Sequence, residues 1–275
     1  MSKNEMSGAG LLSGNVAFVT GSGRGLGRAI ANALVRMGAD IALHDISENA
    51  PAQYGEYPTL TAAVQSLVGP DVRGVGVTGD ISDEASVRSM VDRIQSTLGP
   101  ISILVNCAGG DIGARGTKPN PNSATDFLLE DLQAIINRNL VGTMLMSRAV
   151  APGMAERCKG SIINIASVAA HLGSSPEVAY ACAKAAVVHY TRCLAFEMRS
   201  AGVRVNCISP GPAKTARFLA TRETDPVMME EGPSLKRYAT AEEIADAVTF
   251  LAGEQARFIS GQVLRVDGGA GLYAA

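Results

Sequence analysis

Tyr180 and Lys184 stand four residues apart, and Ser167 precedes Tyr180 by thirteen. On a helix, a four-residue separation sets two side chains beside each other on one face. A phenol loses its proton near pH 10, and an ammonium held a few ångströms away favours the phenolate. Ser167, expected at a strand end before that helix, offers a hydroxyl to the same substrate oxygen. The chemistry of such a trio is proton transfer at an alcohol or carbonyl. Taken alone, the pair equally describes a half-buried aromatic beside a solvated lysine. The elements that would position it therefore carry the decision.

Short β-rich runs at Val16–Thr20, Asp40–His44, Val72–Thr78, Ile101–Asn106, Ser161–Ile165, Val203–Ile208 and Gln262–Val266 read as seven strands. Several are apolar throughout, the pattern of strands covered on both faces. Between them, Leu26, Ile30, Leu34 and Met37 repeat at helical spacing until Gly38. Val87, Met90, Val91, Ile94 and Leu98 do the same between Asp83 and the Gly99-Pro100 stop. Further helices are expected over Leu129–Ala155, Val178–Ser200 and Ala241–Gly253. This alternation implies a Rossmann-type, doubly wound α/β fold, a seven-stranded parallel sheet with helices on both faces. Residues 1–14 read as a flexible tail and 15–275 as a single domain, since no repeat or long linker divides the chain. Two polar segments, Ser47–Leu60 and Gly109–Thr125, break the rhythm; loops of that length are usually functional or mobile.

The first strand runs into Thr20-Gly21-Ser22-Gly23-Arg24-Gly25-Leu26-Gly27, ahead of an amphipathic helix. Glycines there permit close approach of a ligand to the backbone, and the helix start directs free N–H groups at a phosphate. The spacing is T-G-x-x-x-G-x-G, and no Gly-Lys-Ser/Thr follows, so a dinucleotide is expected instead of a nucleoside triphosphate. Asp45 ends the second strand, twenty residues after Gly25. A carboxylate there accepts from both ribose hydroxyls and repels a 2′-phosphate, which favours NAD over NADP. Arg24 argues the other way, as a partner for that phosphate.

Composition excludes other classes. The chain has 24 Lys+Arg against 26 Asp+Glu, a net charge of −2 that gives no footprint for nucleic acid or an anionic membrane. Five cysteines without a CxxC pair or a nearby His cluster fit reduced thiols, with neither a metal site nor a disulfide framework. The N-terminus lacks the basic start and apolar run of a secretion signal, and no run approaches the roughly 18–20 apolar residues of a membrane span. A cytoplasmic protein is the expectation.

From Val16 to Gly269 the chain resembles the classical short-chain dehydrogenase/reductase family. The features stand in family order: the glycine turn, Asp45, Asp80-Ile81, Asn106-Cys-Ala-Gly109, Asn139, Ser167, Tyr180 with Lys184, Pro210-Gly211 and Val266-Asp-Gly-Gly269. The resemblance implies that Tyr180 is the general base in oxidation and the acid in reduction. Lys184 would lower its pKa and hold the nicotinamide ribose. Ser167 would orient the substrate oxygen, and Asn139 would hold a water in the proton relay. Cofactor contacts are implied for Gly21, Arg24, Gly25, Leu26 and Gly27, for Asp45 at the adenosine ribose, and for Asp80 and Ile81 at adenine. Asn106, Ala108 and Gly109 would lie beneath the nicotinamide ribose, and Pro210, Gly211 and Thr215 at its amide. Cys107 and the Pro212-Ala213 pair depart from the family pattern.

Asp111, Arg115, Lys118 and His171 are candidates to face the substrate, and Ala216–Ser234 occupies the position of a mobile lid. The leading expectation is NAD-dependent interconversion of a secondary alcohol (a polyol, sugar or hydroxy acid) and its ketone. An NADPH-dependent 3-oxoacyl thioester reductase is the alternative, and a non-catalytic NAD-binding sensor lies outside the enzymes. The helices over 129–155 and 178–200 correspond to those that pair subunits in the family, so a homotetramer is expected.

Overall fold

The computed structural model describes residues 10–173, 175 and 177–272. Of the expected tail, residues 1–9 lie outside the described residues. Leu12 is already buried, and its N–H donates to Met37 O at 2.8 Å, so the chain is fastened to the core before position 15.

Seven strands form one parallel sheet: β1 (Val16–Val19), β2 (Asp40–Asp45), β3 (Gly74–Thr78), β4 (Ile101–Asn106), β5 (Ser161–Ile165), β6 (Arg204–Pro210) and β9 (Val263–Val266). Their order is β3-β2-β1-β4-β5-β6-β9. The connections therefore run outward in opposite directions from β1 and β4, and the crevice at their carboxyl ends is where a doubly wound sheet takes its ligand. Alternate strand residues enter two cores. Ala17, Val19, Ile41 and Leu43 pack with α1 (Gly25–Arg36), α2 (Leu60–Gln65) and α9 (Ala241–Ala252). Val16, Phe18 and Ala42 pack on the other face with α3 (Glu84–Leu98), α5 (Gly142–Glu156) and α6 (Val178–Met198). Burial on both faces is the reason these strands are apolar throughout.

Three features differ from the sequence expectation. The helix expected over 129–155 is α4 (Leu129–Ile136), a π-helical turn at Asn137–Val141, and then α5. Ser47–Leu60 is not featureless: a 3-10 turn covers Ala50–Tyr54, and Thr59 caps α2 by accepting from Ala62 N. The short strands β7 (Ala213–Lys214) and β8 (Ala239–Thr240) pair in parallel and bracket the helices α7 (Ala216–Thr221) and α8 (Pro226–Met229). Two-residue strands and one-turn helices carry too little periodicity to be read from sequence.

Candidate active site

The glycine turn is shaped by contacts that only glycine permits. Gly21 has φ +65°, and a Cβ there would lie 2.8 Å from Ala108 Cα, while one at Gly27 would strike the Gly21 carbonyl. Thr20 Oγ1 accepts from the N–H groups of Cys107 and Ala108, each at 3.0 Å, which ties the turn to the end of β4. The Gly21 N–H donates to His44 Nδ1 at 3.0 Å, and His44 Nε2 lies 3.0 Å from Gly79 O. With Nδ1 accepting, Nε2 carries the proton and the ring is neutral. Burial pushes the His44 pKa down, against the Gly79 hydrogen bond and the charges of Asp45 and Asp80.

Asp45 ends β2 beside this turn. Its Oδ1 accepts from Ile46 N at 2.9 Å, whereas Oδ2 is buried with no hydrogen-bond partner among the described residues. Arg24 Nε lies 3.7 Å from Oδ2, while its Nη1 donates to Ala50 O at 2.8 Å and Gln53 Oε1 at 2.5 Å. Arg24 thus clamps the 50–54 turn onto the glycine turn, with its guanidinium over the Tyr54 ring. The α1 N-terminus is also engaged, because Gly25 N–H donates to Glu56 Oε2 at 2.8 Å. Leu26 packs against the α1-side core. Asp80 caps its own turn by accepting from Ser82 N and Oγ, and Ile81 packs on Gly142. Thr215 caps α7 by accepting from Phe218 N, and its Cβ lies 3.8 Å from a Cβ placed on Gly25. Pro210 ends β6, and the Gly211 N–H donates to Val266 O at 2.9 Å.

At the carboxyl ends of β4 and β5 the acid–base candidates converge. Ser167 follows β5, its Oγ accepts from Ala169 N at 3.2 Å, and its hydroxyl acts on Tyr180 in the direction that favours the phenolate. Lys184 is buried, with Nζ 2.7 Å from Ile165 O and 5.7 Å from the centre of the Tyr180 ring. Burial pushes Lys184 down to about 8 against the opposing influence of Cys107 and Cys207, and Arg217 lowers it further. Burial pushes Tyr180 up, and the Ser167 hydroxyl with the charges of Arg217 and Arg222 pulls it back. The cysteines by Lys184 are themselves raised by burial to about 11, so they face it as neutral thiols at pH 7.

Asn139 lies within the π-helical turn and is fully buried. Its Oδ1 accepts from Gly110 N at 2.9 Å, and Nδ2 donates to Gly110 O at 3.0 Å and to Ile135 O at 2.9 Å. A Cβ on Gly109 would lie 2.6 Å from that Oδ1 and 3.2 Å from Lys184 Nζ, so Asn139 and Lys184 press on one glycine. Asn106 donates to Ser147 Oγ at 3.0 Å and to Asn164 Oδ1 at 2.9 Å, which joins β4 to β5 and α5. His171 bonds Ser209 Oγ at 2.9 Å, and Asp111 is buried as an acceptor for Asn122. Arg115 points to Glu130 at the surface.

Sequence reasoning did not single out His44, Glu56 or Arg217 for the site. His44 precedes Asp45 at a strand end, which was the available signal; Glu56 comes from a loop and Arg217 from the short helix α7, and no local pattern reveals the return path of either.

A nicotinamide dinucleotide fits these residues. The orphaned Asp45 Oδ2 suits a ribose diol, the helix start that holds Glu56 suits a phosphate, and the backbone at Gly21 is bare.

Comparison with known proteins follows the same lines. The profile of the family described as enoyl-(acyl carrier protein) reductase matches residues 21–271. A cyclohexanol dehydrogenase of Rhodococcus sp. (strain TK6) is 32% identical over 268 residues, covering 94% of this chain and 96% of its own length. A 3-oxoacyl-[acyl-carrier-protein] reductase of Vibrio harveyi is 34% identical over 258 residues, covering 94% of this chain and 98% of its own. A solved 3-oxoacyl-[acyl-carrier protein] reductase with bound NAD from Brucella melitensis superposes with a TM-score of 0.80 at 26% identity, over 100% of this chain and 97% of that one. With the glycine turn and the Ser167–Tyr180–Lys184 cluster in place on a doubly wound sheet, this chain belongs to the classical short-chain dehydrogenase/reductase family of oxidoreductases.

Proposed function

We propose that this chain is an NAD-dependent dehydrogenase that interconverts a secondary alcohol and its ketone, with a polyol, sugar or hydroxy acid as substrate. The observation that carries this reading is the convergence of Ser167, Tyr180 and a buried Lys184 after β5, with Nζ held by Ile165 O and 5.7 Å from the centre of the Tyr180 ring. Ser167 holds the substrate oxygen, and Tyr180 takes its proton in oxidation and returns it in reduction. Lys184, with a pKa of about 8, is still an ammonium at pH 7 and supports the developing phenolate. Ile165 O holds Nζ in place, and Asn139 fixes the Gly110 backbone beside it.

Gly21, Arg24, Gly25, Leu26 and Gly27 form the phosphate turn in this reading, and Asp45 takes the adenosine ribose. Asp80 and Ile81 flank adenine. Asn106, Ala108, Gly109, Lys184, Pro210, Gly211 and Thr215 line the nicotinamide end. When bound, NAD supplies the hydride acceptor. Asp45 favours NAD because its buried oxygen would face a 2′-phosphate. The Vibrio relative's name keeps a 3-oxoacyl thioester reductase as the second reading, and cofactor choice separates the two.

The test is reduction of NAD and NADP on a panel of sugars, polyols, hydroxy acids and secondary alcohols, with Tyr180→Phe alongside. NAD should be preferred, and Tyr180→Phe should lose about 10³-fold in turnover while binding NAD normally. Equal turnover by Tyr180→Phe would sink the mechanism. NAD binding without oxidation of any alcohol would make the protein a sensor.

Residues 15–275 act as one catalytic unit in this reading, and the enzyme works as a cytoplasmic homotetramer. The exposed Phe196 on α6 and Met144 on α5 support pairing through those helices. Among the described residues no helix is long and apolar enough to cross a membrane. Sedimentation of Phe196→Glu tests the interface and should give smaller species.

A further inference from the structure

We propose, on the basis of that dehydrogenase reading, that Arg217 determines specificity by receiving the carboxylate of a short hydroxy acid whose hydroxyl lies on Ser167 and Tyr180. Arg217 sits in the first turn of α7 and reaches back over the end of β4. Its Nη1 donates to Gly109 O at 3.3 Å, and a Cβ on Gly110 would collide with the guanidinium. Gly109 and Gly110 form the same strip that Asn139 grips and Lys184 Nζ approaches. The guanidinium and the acid–base pair thus flank one stretch of bare backbone.

This cation stands apart from other basic residues of the stretch from β7 to β8. Lys214 pairs with Glu231 at 3.5 Å, Arg222 with Glu177 at 3.3 Å, and Arg237 with Glu243 at 2.6 Å. Arg217 forms an ion pair with no carboxylate among the described residues, although it is half-buried. Its bond to Gly109 O is longer than an ordinary N–H···O contact. Beyond the Gly109 O contact its donors meet no other protein acceptor among the described residues and stay open to water, so an incoming acceptor can take them. A planar carboxylate matches the guanidinium fork. Arg217 also acts on Tyr180, favouring its phenolate against the opposing charge of Glu177, which puts the guanidinium within electrostatic reach of the acid–base pair. A hydroxy acid would answer the guanidinium and present its carbinol to Tyr180 in one binding event; a neutral alcohol would leave it unpaired.

The test compares matched pairs, 3-hydroxybutyrate with 2-butanol for turnover and acetoacetate with 2-butanone for binding to the NAD-loaded protein by calorimetry. Wild type, Arg217→Lys and Arg217→Gln are run in parallel. The wild type should prefer the acid, and Arg217→Gln should lower the acid-to-alcohol ratio of kcat/KM at least about 10-fold, mainly through KM, with Arg217→Lys between. An unchanged ratio would overturn the assignment. So would a loss of NAD affinity in Arg217→Gln as large as its loss on the acid, which would assign the guanidinium to the cofactor's phosphates. Acetoacetate binding that depends on Arg217 in a protein that oxidises neither alcohol would keep the anion site and remove the dehydrogenase reading. Turnover of 2-butanol with no preference for acetoacetate over 2-butanone would do the reverse.

Discussion

The two ends of the dinucleotide groove satisfy their polar groups in different ways. At the adenosine end the partners come from the 47–60 segment: Glu56 takes the Gly25 N–H, and Arg24 is engaged by Ala50 O and Gln53. At the catalytic end they are internal. Thr143 Oγ1 donates to Asn139 O, Ser147 Oγ to Thr143 O, Asn106 to Ser147 and Asn164, Asn164 to Thr191, and Thr191 to Val187 O. All five side chains in that relay are at most 3% exposed. A buried, fully satisfied network holds one geometry, because any broken link strands a desolvated group. The adenosine end is instead held by charges that an incoming pyrophosphate would compete with. One end is prebuilt and the other is exchangeable.

The largest effect should come from breaking the internal relay. Asn106→Leu removes two donors and leaves Asn164 Oδ1 buried without its partner, which should cost about 2–4 kcal/mol in urea unfolding. A cost below about 1 kcal/mol would show that the relay does not hold the catalytic end.

Lys184→Met probes the same end through pH. The folded-state pKa of about 8 lies below the ordinary 10.5, so below pH 8 both folded and unfolded chains carry the proton and the burial penalty is full. Between about 8 and 10.5 the folded chain sheds its proton first, and wild-type stability rises with pH. Lys184→Met should therefore abolish turnover, and its stability relative to wild type should fall by up to about 3 kcal/mol as pH rises through that window. A stability difference that does not change with pH would mean that Lys184 is not desolvated as its surroundings require.

The smallest effect is expected at the exchangeable end. Glu56→Gln keeps the side-chain shape and removes the negative charge, so NAD binding measured by calorimetry should tighten about threefold. Weaker binding would make Glu56 a cofactor ligand and the adenosine end prebuilt like the other.

Much of this site was legible from local spacing. The four-residue step from Tyr180 to Lys184, the glycine turn between strand and helix, and Asp45 at a strand end each lie within one supersecondary unit. The seven strands were legible because both faces of the sheet are buried, leaving apolar runs with few polar interruptions. The π-helical turn at Asn139 was not legible, since α4 and α5 flank it with ordinary helical residues and its side chain is held by Gly110 from the β4 loop. His44, Glu56 and Arg217 gain their meaning from segments that return from 20 or more residues away.

By itself the sequence determined which side chains are candidates for moving a proton and for meeting a dinucleotide, and roughly where along the fold each stands. Only the tertiary structure decided their electrical state. By residue type and spacing Lys184 is the cation expected to lower the Tyr180 pKa; folding buries both, so the lysine falls to about 8 and the tyrosine rises. Desolvation depends on everything packed around a group, and the Ser167 hydroxyl, Arg217 and Arg222 that pull Tyr180 back arrive from other parts of the chain. Residue type and spacing are local properties, whereas burial and charge environment belong to the assembled fold.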